Sequence, residues 1–301
     1  MLITAVIPTR NRPDDLERAV LSVCAQSRPA DELLIIDQSP DDASRQRVMG
    51  ALASAPSPAH VDYVLDPKIA GLVAAKQAAV ERARGDIVCF LEDDVVLERD
   101  YLKTIELGFE RQPDMVGTCG IVSNLPPLPP FYFRLFHLFH RGIFHDPRVG
   151  VTGVVSGSGH PLIPSDYLSG GLSAYRRAVF ESVHFDVANR FFMLEDIDFS
   201  TRVARAFGGR LYINPNARLE HRMSPLNRSR LGPRQEAKVR EFIVFYKKRR
   251  ANGARARHLV LLAAGLFVEA VFQSVRGRSL SPIPGFFRGL WRGARWRLAG
   301  K

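Results

Sequence analysis

Cysteine is scarce and follows no pattern. The 301 residues include only three cysteines, and none forms a CxxC pair or a Cys/His ligand spacing. A disulfide scaffold is therefore excluded, and the thiols are expected to be buried and reduced. With 46% hydrophobic and 24% charged residues, the composition is that of a globular protein, which also excludes a disordered or collagen-like chain.

The sequence shows neither of two common membrane signals. It begins with a strand-like run, MLITAVIP, and lacks the basic flank and long apolar core of a signal peptide. The apolar stretch at residues 259–275 has 17 residues and contains Glu269, whereas a spanning helix needs about 20 apolar residues. We therefore expect a helix that lies in a membrane interface or docks on the protein, not one that spans a bilayer.

Acidic residues are scarce in the C-terminal quarter. Residues 222–301 contain 19 Lys and Arg but only 3 Asp and Glu, whereas the rest of the chain is net acidic. A basic excess confined to one end indicates an anionic partner there, although a solvated basic tail is the alternative.

The end of this region has the pattern of an amphipathic helix. In FFRGLWRGARWRL, Phe287, Leu290 and Trp291 share a face that arginines flank, which suits an anionic bilayer surface. No nucleic-acid-binding motif accompanies the charge. We predict that residues 231–301 bind an anionic membrane surface and no nucleic acid, with packing of the tail against the rest of the chain as the alternative.

Strand-like and helix-like patterns alternate over the first 97 residues. The strand-like runs are residues 2–8, 32–37, 61–65 and 86–97. Alternation of this kind predicts an α/β fold with a mostly parallel sheet covered by helices.

Candidate ligand-binding residues stand where three of these strands end. They are Pro8 and Thr9, then Asp37, then the acidic run 92–94. Since ligands of open parallel sheets bind beyond the carboxyl ends of the strands, we expect these residues to share one crevice. The carboxylates of residues 92–94 suit Mg²⁺ or Mn²⁺, with a helix N-cap cluster as the alternative interpretation.

Six segments together carry a family resemblance: VIPTRNRPDDLERAVLSV, IIDQS, FLEDDVVLE, LSGGLSAYRRAVF, LEDIDFSTRV and ARLEHRMS. In this order they resemble family 2 glycosyltransferases. The resemblance implies a Rossmann-like GT-A fold over residues 1–225, with a nucleotide-binding half (1–100) and an acceptor half (101–225). Residues 226–301 would then form a basic, amphipathic, membrane-associating helical extension.

The resemblance also implies an activity, which is inverting transfer of a sugar from a nucleotide-diphosphate donor, UDP-, dTDP- or GDP-linked. The acceptor would be a glycan or a lipid-linked molecule in surface polysaccharide synthesis. The protein would be cytoplasmic and peripheral on the inner face of the cytoplasmic membrane.

The implied metal site lies in a DxD-like motif. Asp94 would contact Mg²⁺ or Mn²⁺, Asp93 would face the ribose or an ordered water, and His221 would be a second metal or diphosphate contact. Neutral imidazole is a plausible Mn²⁺ ligand, and a structural histidine is the alternative.

The implied donor contacts involve four further residues. Pro8 and Thr9 would shape the base pocket, and Asp37 would contact the base or ribose. Lys76 would contact the diphosphate, although relatives commonly carry Arg-Asn here; a solvated helix lysine is the alternative.

An inverting transfer needs a base that takes the proton of the attacking hydroxyl. The resemblance places this base on Asp196, with Glu195 orienting it or binding acceptor hydroxyls. Gly170 and Gly171 would permit close approach of the backbone to the sugar. Stabilisation of a helix N-terminus is the alternative role for the two acids.

The segment between Phe131 and Phe144 is dense in aromatic residues and would either cover the sheet or form an acceptor-side flap that meets lipid. Two other functions compete with glycosyl transfer. One is a membrane-associated scaffold with a degenerate sugar-nucleotide site. The other is a sugar-1-phosphate nucleotidyltransferase, for which PTRNRPDD lacks the expected glycine-rich loop.

Overall fold

The chain divides into two compact units. The first comprises Met1–Pro127, Gly150–Val187 and Glu195–Leu226, and the second comprises Leu128–Val149, Ala188–Leu194 and Asn227–Lys301. This computed structural model describes residues 1–56, 58–126, 129–151, 159–189, 191–224, 226 and 230–298. The predicted domain boundary at 225/226 falls beside residues outside these ranges and stays a prediction.

The first unit contains one mixed nine-stranded sheet. Its strands are β1 Ile3–Thr9, β2 Glu32–Asp37, β3 His60–Leu65, β4 Ile87–Leu91, β5 Val95–Leu97, β6 Gly117–Val122, β7 Ile163–Pro164, β8 Leu172–Arg176 and β9 Leu211–His221. The spatial order is β3-β2-β1-β4-β8-β6-β9-β5, and β7 pairs with β9. The strands β3, β2, β1 and β4 are parallel, whereas β8 is antiparallel to both β4 and β6.

Helices make up most of the remaining described chain. They are α1 Pro13–Cys24, α2 Ala43–Leu52, α3 Leu72–Val80, α4 Tyr101–Arg111, α5 Pro130–Phe139, α6 Arg148–Val151, α7 Val179–Ser182, α8 Glu195–Ala206, α9 Leu231–Arg249, α10 Ala256–Arg276 and α11 Pro282–Arg295. The predicted C-terminal helical region is thus confirmed.

Helices cover the sheet on both faces. The apolar side chains of α1, α2 and α4 join one core cluster, and those of α3, α7 and α8 join another. All seven residues of β1 are consequently buried, as expected for a parallel strand covered on both sides. The predicted α/β fold class is confirmed.

The predicted fourth strand, residues 86–97, is wrong as one element. β4 ends at Leu91, and the chain turns through residues 92–94 before β5 pairs with β9, where Val95 lies opposite His221. The turn arises because β5 joins a different neighbour from β4. It places three carboxylates at the carboxyl end of β4 and brings β9 beside them.

In the second unit, α9 and α11 lie very close together. A Cβ on Gly285 would lie 2.4 Å from the carbonyl oxygen of Gly232, so the contact requires glycine. The aromatic helix α5 packs on α10, where a Cβ on Gly265 would lie 2.6 Å from Cβ of Phe139. Within the described chain, α10 is long and apolar enough to cross a membrane, judged by length and composition alone.

Candidate active site

The ends of β1 and β4 are joined by side-chain contacts. The Thr9 hydroxyl donates a hydrogen bond to Oδ2 of Asp93 over 2.7 Å. Pro8 is the preceding residue of β1 and lies beside Ile36 of β2. Pro8, Thr9 and the acidic run therefore meet at one edge of the sheet, where the sequence placed them.

Asp37, at the end of β2, is fully buried. Its carboxylate accepts hydrogen bonds from the backbone N–H of Ser39 at 2.8 Å and from the hydroxyl of Tyr63 at 2.6 Å. Burial and the hydrogen bond to Asp37 raise the pKa of Tyr63. As placed, Asp37 holds the ends of β2 and β3 together, and its contact with a donor base stays a prediction.

Glu92, Asp94 and His221 form a possible metal site. The Nε2 atom of His221 lies 3.1 Å from Oδ1 of Asp94 and 3.3 Å from Oε2 of Glu92. The three ligand atoms all lie within 4.8 Å of one another. Two carboxylates and one imidazole suit a divalent cation such as Mn²⁺. The turn after β4 places the carboxylate of Glu92 in this group.

Asp94 is held in its charged form. Burial acts to raise the pKa of its carboxyl, but hydrogen bonds from His221 and from the backbone N–H of Ser224 outweigh burial, so the pKa lies below its usual range. The bond from Ser224 to Oδ2 is 2.8 Å long. An ionised carboxylate is the form that binds a cation.

Arg12 is a site residue that sequence reasoning missed. Its Nη1 donates to Oδ1 of Asp93 at 2.7 Å and lies 3.7 Å from Oδ2 of Asp94. Burial nevertheless raises the pKa of Asp93 to about 6. The only available signal was position, since Arg12 lies three residues beyond the end of β1 and strand ends form the crevice.

A second cluster joins α3 to α8. Nζ of Lys76 donates to Oε1 of Glu195 at 2.6 Å and to the carbonyl oxygen of Gly170 at 2.9 Å. Lys76 and Glu195 are only 3% and 7% exposed, which excludes the alternative of a solvated lysine. The predicted contact of Lys76 with a diphosphate stays a prediction, because the structure places its ammonium in this ion pair.

The two predicted acids occupy the first turn of α8. Burial raises the pKa of Glu195 against the charge of Lys76, and Oε2 of Glu195 accepts no hydrogen bond from the described residues. Asp196 is half-buried. Its Oδ2 lies 3.3 Å from the backbone nitrogen of Gly170, and its Oδ1 accepts from the N–H of Ile197 at 2.8 Å.

Gly170 and Gly171 lie between the two clusters. A Cβ on Gly170 would lie 2.3 Å from Oε1 of Glu195, and a Cβ on Gly171 would lie 2.4 Å from Cδ of Glu92. Real Cβ atoms do not approach so closely, so a larger residue at either position would have to displace the side chain of Glu195 or Glu92. The sequence predicted that the backbone at these glycines approaches a sugar closely. Within the protein, the same backbone lies close to the carboxylates of Glu195 and Glu92.

Relatives of known sequence cover part of the chain. A Bacillus subtilis glycosyltransferase assigned to teichuronic acid biosynthesis, TuaG, is 32% identical over 111 residues, which are 36% of this chain and 43% of that protein. An uncharacterised glycosyltransferase of Haemophilus influenzae is 29% identical over 119 residues, 40% of this chain and 46% of its own length. The chain spans less than half the length of these relatives.

Two solved structures share the fold at low identity. The mannosyltransferase PcManGT of Pyrobaculum calidifontis, in complex with GDP-Man and Mn²⁺, has a TM-score of 0.64 and 14% identity, covering 97% of this chain and 87% of that one. TarS residues 1–349 of S. aureus, in complex with UDP-GlcNAc, has a TM-score of 0.57 and 15% identity, covering 97% and 80%. These likenesses show the GT-A fold. The model of the family described as Glycosyl transferase family 2 matches residues 4–183, more than half of the chain, and the protein therefore belongs to that family of glycosyltransferases.

Proposed function

We propose that this glycosyltransferase works by inversion and moves a sugar from a nucleotide-diphosphate donor to a glycan or lipid-linked acceptor in surface polysaccharide synthesis. The observation that carries the proposal is the pair of carboxylate clusters on either side of Gly170 and Gly171. One cluster suits a cation and the other suits a base. An inverting displacement uses positive charge at the leaving diphosphate and a base at the attacking hydroxyl.

The cation would be held by Asp94 and His221, with Glu92 as a third ligand. The imidazole favours Mn²⁺ over Mg²⁺, which prefers oxygen ligands alone. A divalent cation here would supply positive charge for the diphosphate as it leaves. The PcManGT complex with Mn²⁺ supports this assignment.

Asp196 is the proposed base. The acceptor oxygen forms a bond to C1 of the sugar, the bond from C1 to the diphosphate oxygen breaks on the opposite side, and the hydroxyl proton passes to Asp196. The backbone N–H groups of Gly170 and Ile197 face its two oxygens and fix their direction. Oε2 of Glu195, which has no partner among the described residues, would accept a second acceptor hydroxyl.

The donor and the acceptor are proposed by class. The two solved structures of similar fold are complexes with GDP-Man and UDP-GlcNAc. The candidate nucleotides of the donor are therefore GDP, UDP and dTDP. TuaG supports a surface polysaccharide as the product. We place residues 1–225 as the catalytic domain, and the whole protein as cytoplasmic and peripheral on the inner face of the membrane.

The decisive experiment is thermal unfolding with UDP, GDP, dTDP and CDP, each with and without Mn²⁺. A nucleotide at 100 times its Kd adds about 2.7 kcal/mol of stability, which gives a readable shift in Tm. We expect one nucleotide to raise Tm only with Mn²⁺. Asp94→Ala should abolish the shift, and Asp114→Ala, on an exposed loop, should keep it. No shift with any nucleotide would contradict the proposal.

Two assays separate the competing functions. Metal-dependent hydrolysis of the matching nucleotide sugar would exclude a degenerate scaffold. Release of pyrophosphate from a nucleoside triphosphate and a sugar phosphate would favour a nucleotidyltransferase instead.

A further inference from the structure

The outer face of α10 is apolar and open to solvent. Six large apolar side chains that are 38% to 75% exposed lie on it: Val260, Phe267, Val268, Val271, Phe272 and Val275. Their spacing of three, four and seven residues puts them on one side of the helix. Within this helix no polar side chain interrupts that side between Val260 and Val275. An exposed apolar surface of this extent indicates a partner.

The same surface continues onto α11. The ring of Phe267 lies 6.0 Å from that of Phe287, and Phe287 and Trp291 are both more than half exposed. These two residues are four apart and share a helix face. We call the outer face of α10 together with Phe287 and Trp291 the apolar platform.

Basic residues border the apolar platform. Arg255 and Arg257 stand at the start of α10, and Arg276 and Arg278 stand at its end; all four are exposed. On α11, the guanidinium of Arg295 lies 4.7 Å from the ring centre of Trp291. Aromatic and apolar groups with an arginine border match the boundary between acyl chains and anionic headgroups.

The few acids nearby are already neutralised within the second unit. Residues 230–298 contain 16 Lys and Arg against three glutamates. Glu236 pairs with Arg288 and Arg292, Glu241 pairs with Arg240, and Glu269 pairs with Lys238. The border of the apolar platform therefore has a net positive charge, which favours anionic lipid over a neutral partner.

The geometry argues against a spanning helix. The 21 residues of α10 would be about 32 Å long, enough for a bilayer core. However, Nζ of Lys238 on α9 lies 2.7 Å from the Glu269 carboxylate in the middle of the helix. The opposite side of α10 is buried at Leu262, Leu266, Ala270 and Ser274. A span would carry this ion pair into hydrocarbon. It would also put the basic residues that follow α10, including the arginines of α11, on the far side of the bilayer, against the usual asymmetry of basic residues.

We propose that the apolar platform is a docking surface for one leaflet of an anionic bilayer. In this arrangement α10 lies in the membrane plane, its outer face enters the acyl–headgroup boundary, and the bordering arginines contact lipid phosphates. The inference rests on the membrane partner of the proposed function and specifies the surface and the depth of contact.

Vesicle binding by the full chain tests the surface. We expect co-sedimentation with phosphatidylglycerol vesicles that weakens with salt, and little with phosphatidylcholine. Phe272→Asp should weaken binding by at least about tenfold, because it places a charge in the apolar boundary. Met49→Asp is the matched control, since Met49 is an exposed apolar residue of α2 in the first unit. Equal binding of both variants would overturn the proposal.

The fluorescence of the two tryptophans of the chain reports how deeply the apolar platform enters the bilayer. Trp296→Phe leaves Trp291 on the platform, whereas Trp291→Phe leaves Trp296, whose Nε1 lies 3.4 Å from Oδ1 of Asn189. We expect anionic vesicles to blue-shift the fluorescence of Trp291, and brominated lipid to quench it more strongly than that of Trp296. Vesicle binding with Trp291 unchanged would overturn the proposal.

Two further outcomes would assign a different occupant to the apolar platform. Resistance of the membrane-bound protein to alkaline carbonate would indicate a span. A dimer without lipid that Phe272→Asp dissociates, with no vesicle binding, would show a second copy on the platform. Nucleotide-dependent shifts in Tm, measured on the same samples, report the donor site separately, so failure to bind vesicles and failure to bind a donor remain distinguishable.

Discussion

The two units differ in where their charged and their large apolar side chains lie. The first unit buries charged groups, among them Lys76, Asp93, Asp94 and Glu195. The second unit exposes large apolar side chains on α10 and α11, and its glutamates are paired with bases. Burial of charge costs free energy, and exposure of apolar surface costs free energy too. Under the proposed function, a bound donor and cation would offset this cost in the first unit, and an anionic membrane would offset it in the second.

The largest effect is expected in the first unit, from Asp196→Asn. Loss of a general base typically slows a reaction by about 10² to 10⁴. Transfer to the acceptor should fall by that factor while nucleotide binding is retained, as measured by initial rates and by Tm shifts. Asp114→Asn serves as the control, and full transfer by Asp196→Asn would show that the base lies elsewhere.

Next in size is the effect of breaking the buried ion pair with Lys76→Met. An uncompensated carboxylate at Glu195 should cost about 3 to 5 kcal/mol of stability, read from urea unfolding. The double variant Lys76→Met/Glu195→Gln should recover part of this loss, because no buried charge then lacks a partner. If Lys76→Met were as stable as the wild type, the ion pair between Lys76 and Glu195 would not stabilise the start of α8.

In the second unit, the two sides of α10 should differ. Leu266→Ala removes a buried side chain and should cost about 2 to 5 kcal/mol. Phe272→Ala alters the exposed side and should change stability by less than about 0.5 kcal/mol. Thermal and urea unfolding without lipid measure both, and comparable losses would mean that the outer face is packed in solution.

Among the changes in vesicle binding, the smallest is expected from Arg292→Met. Arg292 is exposed, and the Glu236 carboxylate keeps its second partner Arg288, so the stability in solution should change by less than about 1 kcal/mol. Binding to anionic vesicles should weaken by a similar amount, because one arginine near a charged surface contributes about 1 kcal/mol. Vesicle titration at low and high salt checks this, and an effect that persists at high salt would argue against an electrostatic role.

Much of the fold could be predicted because local patterns agree with it. The alternation of strand-like and helix-like runs indicated a sheet covered by helices. β2 and β4 form within the runs that predicted them, and β1 extends one residue beyond its run, to Thr9. The strand-end rule also placed Thr9 and Asp93 together, and they are hydrogen-bonded. Both inferences depend on local sequence and on a general property of parallel sheets.

Other features depend on contacts between residues far apart in the chain. Nothing near Lys76 indicates that its ammonium meets Glu195, 119 residues later. The break between β4 and β5 follows from the pairing of β5 with β9. The small space at Gly171 comes from the side chain of Glu92, which packs against that position.

The sequence by itself determined the α/β class, the family, the strand-end location of the site and the basic, apolar character of the C-terminal helices. Periodicity, motif order and composition are local properties, so they can be read from the chain alone. Only the tertiary structure decided the partners of each buried charge, the grouping of Glu92 with Asp94 and His221, and the side of α10 that stays exposed. Those outcomes depend on which distant segments pack together and exclude water, and this is a property of the whole fold.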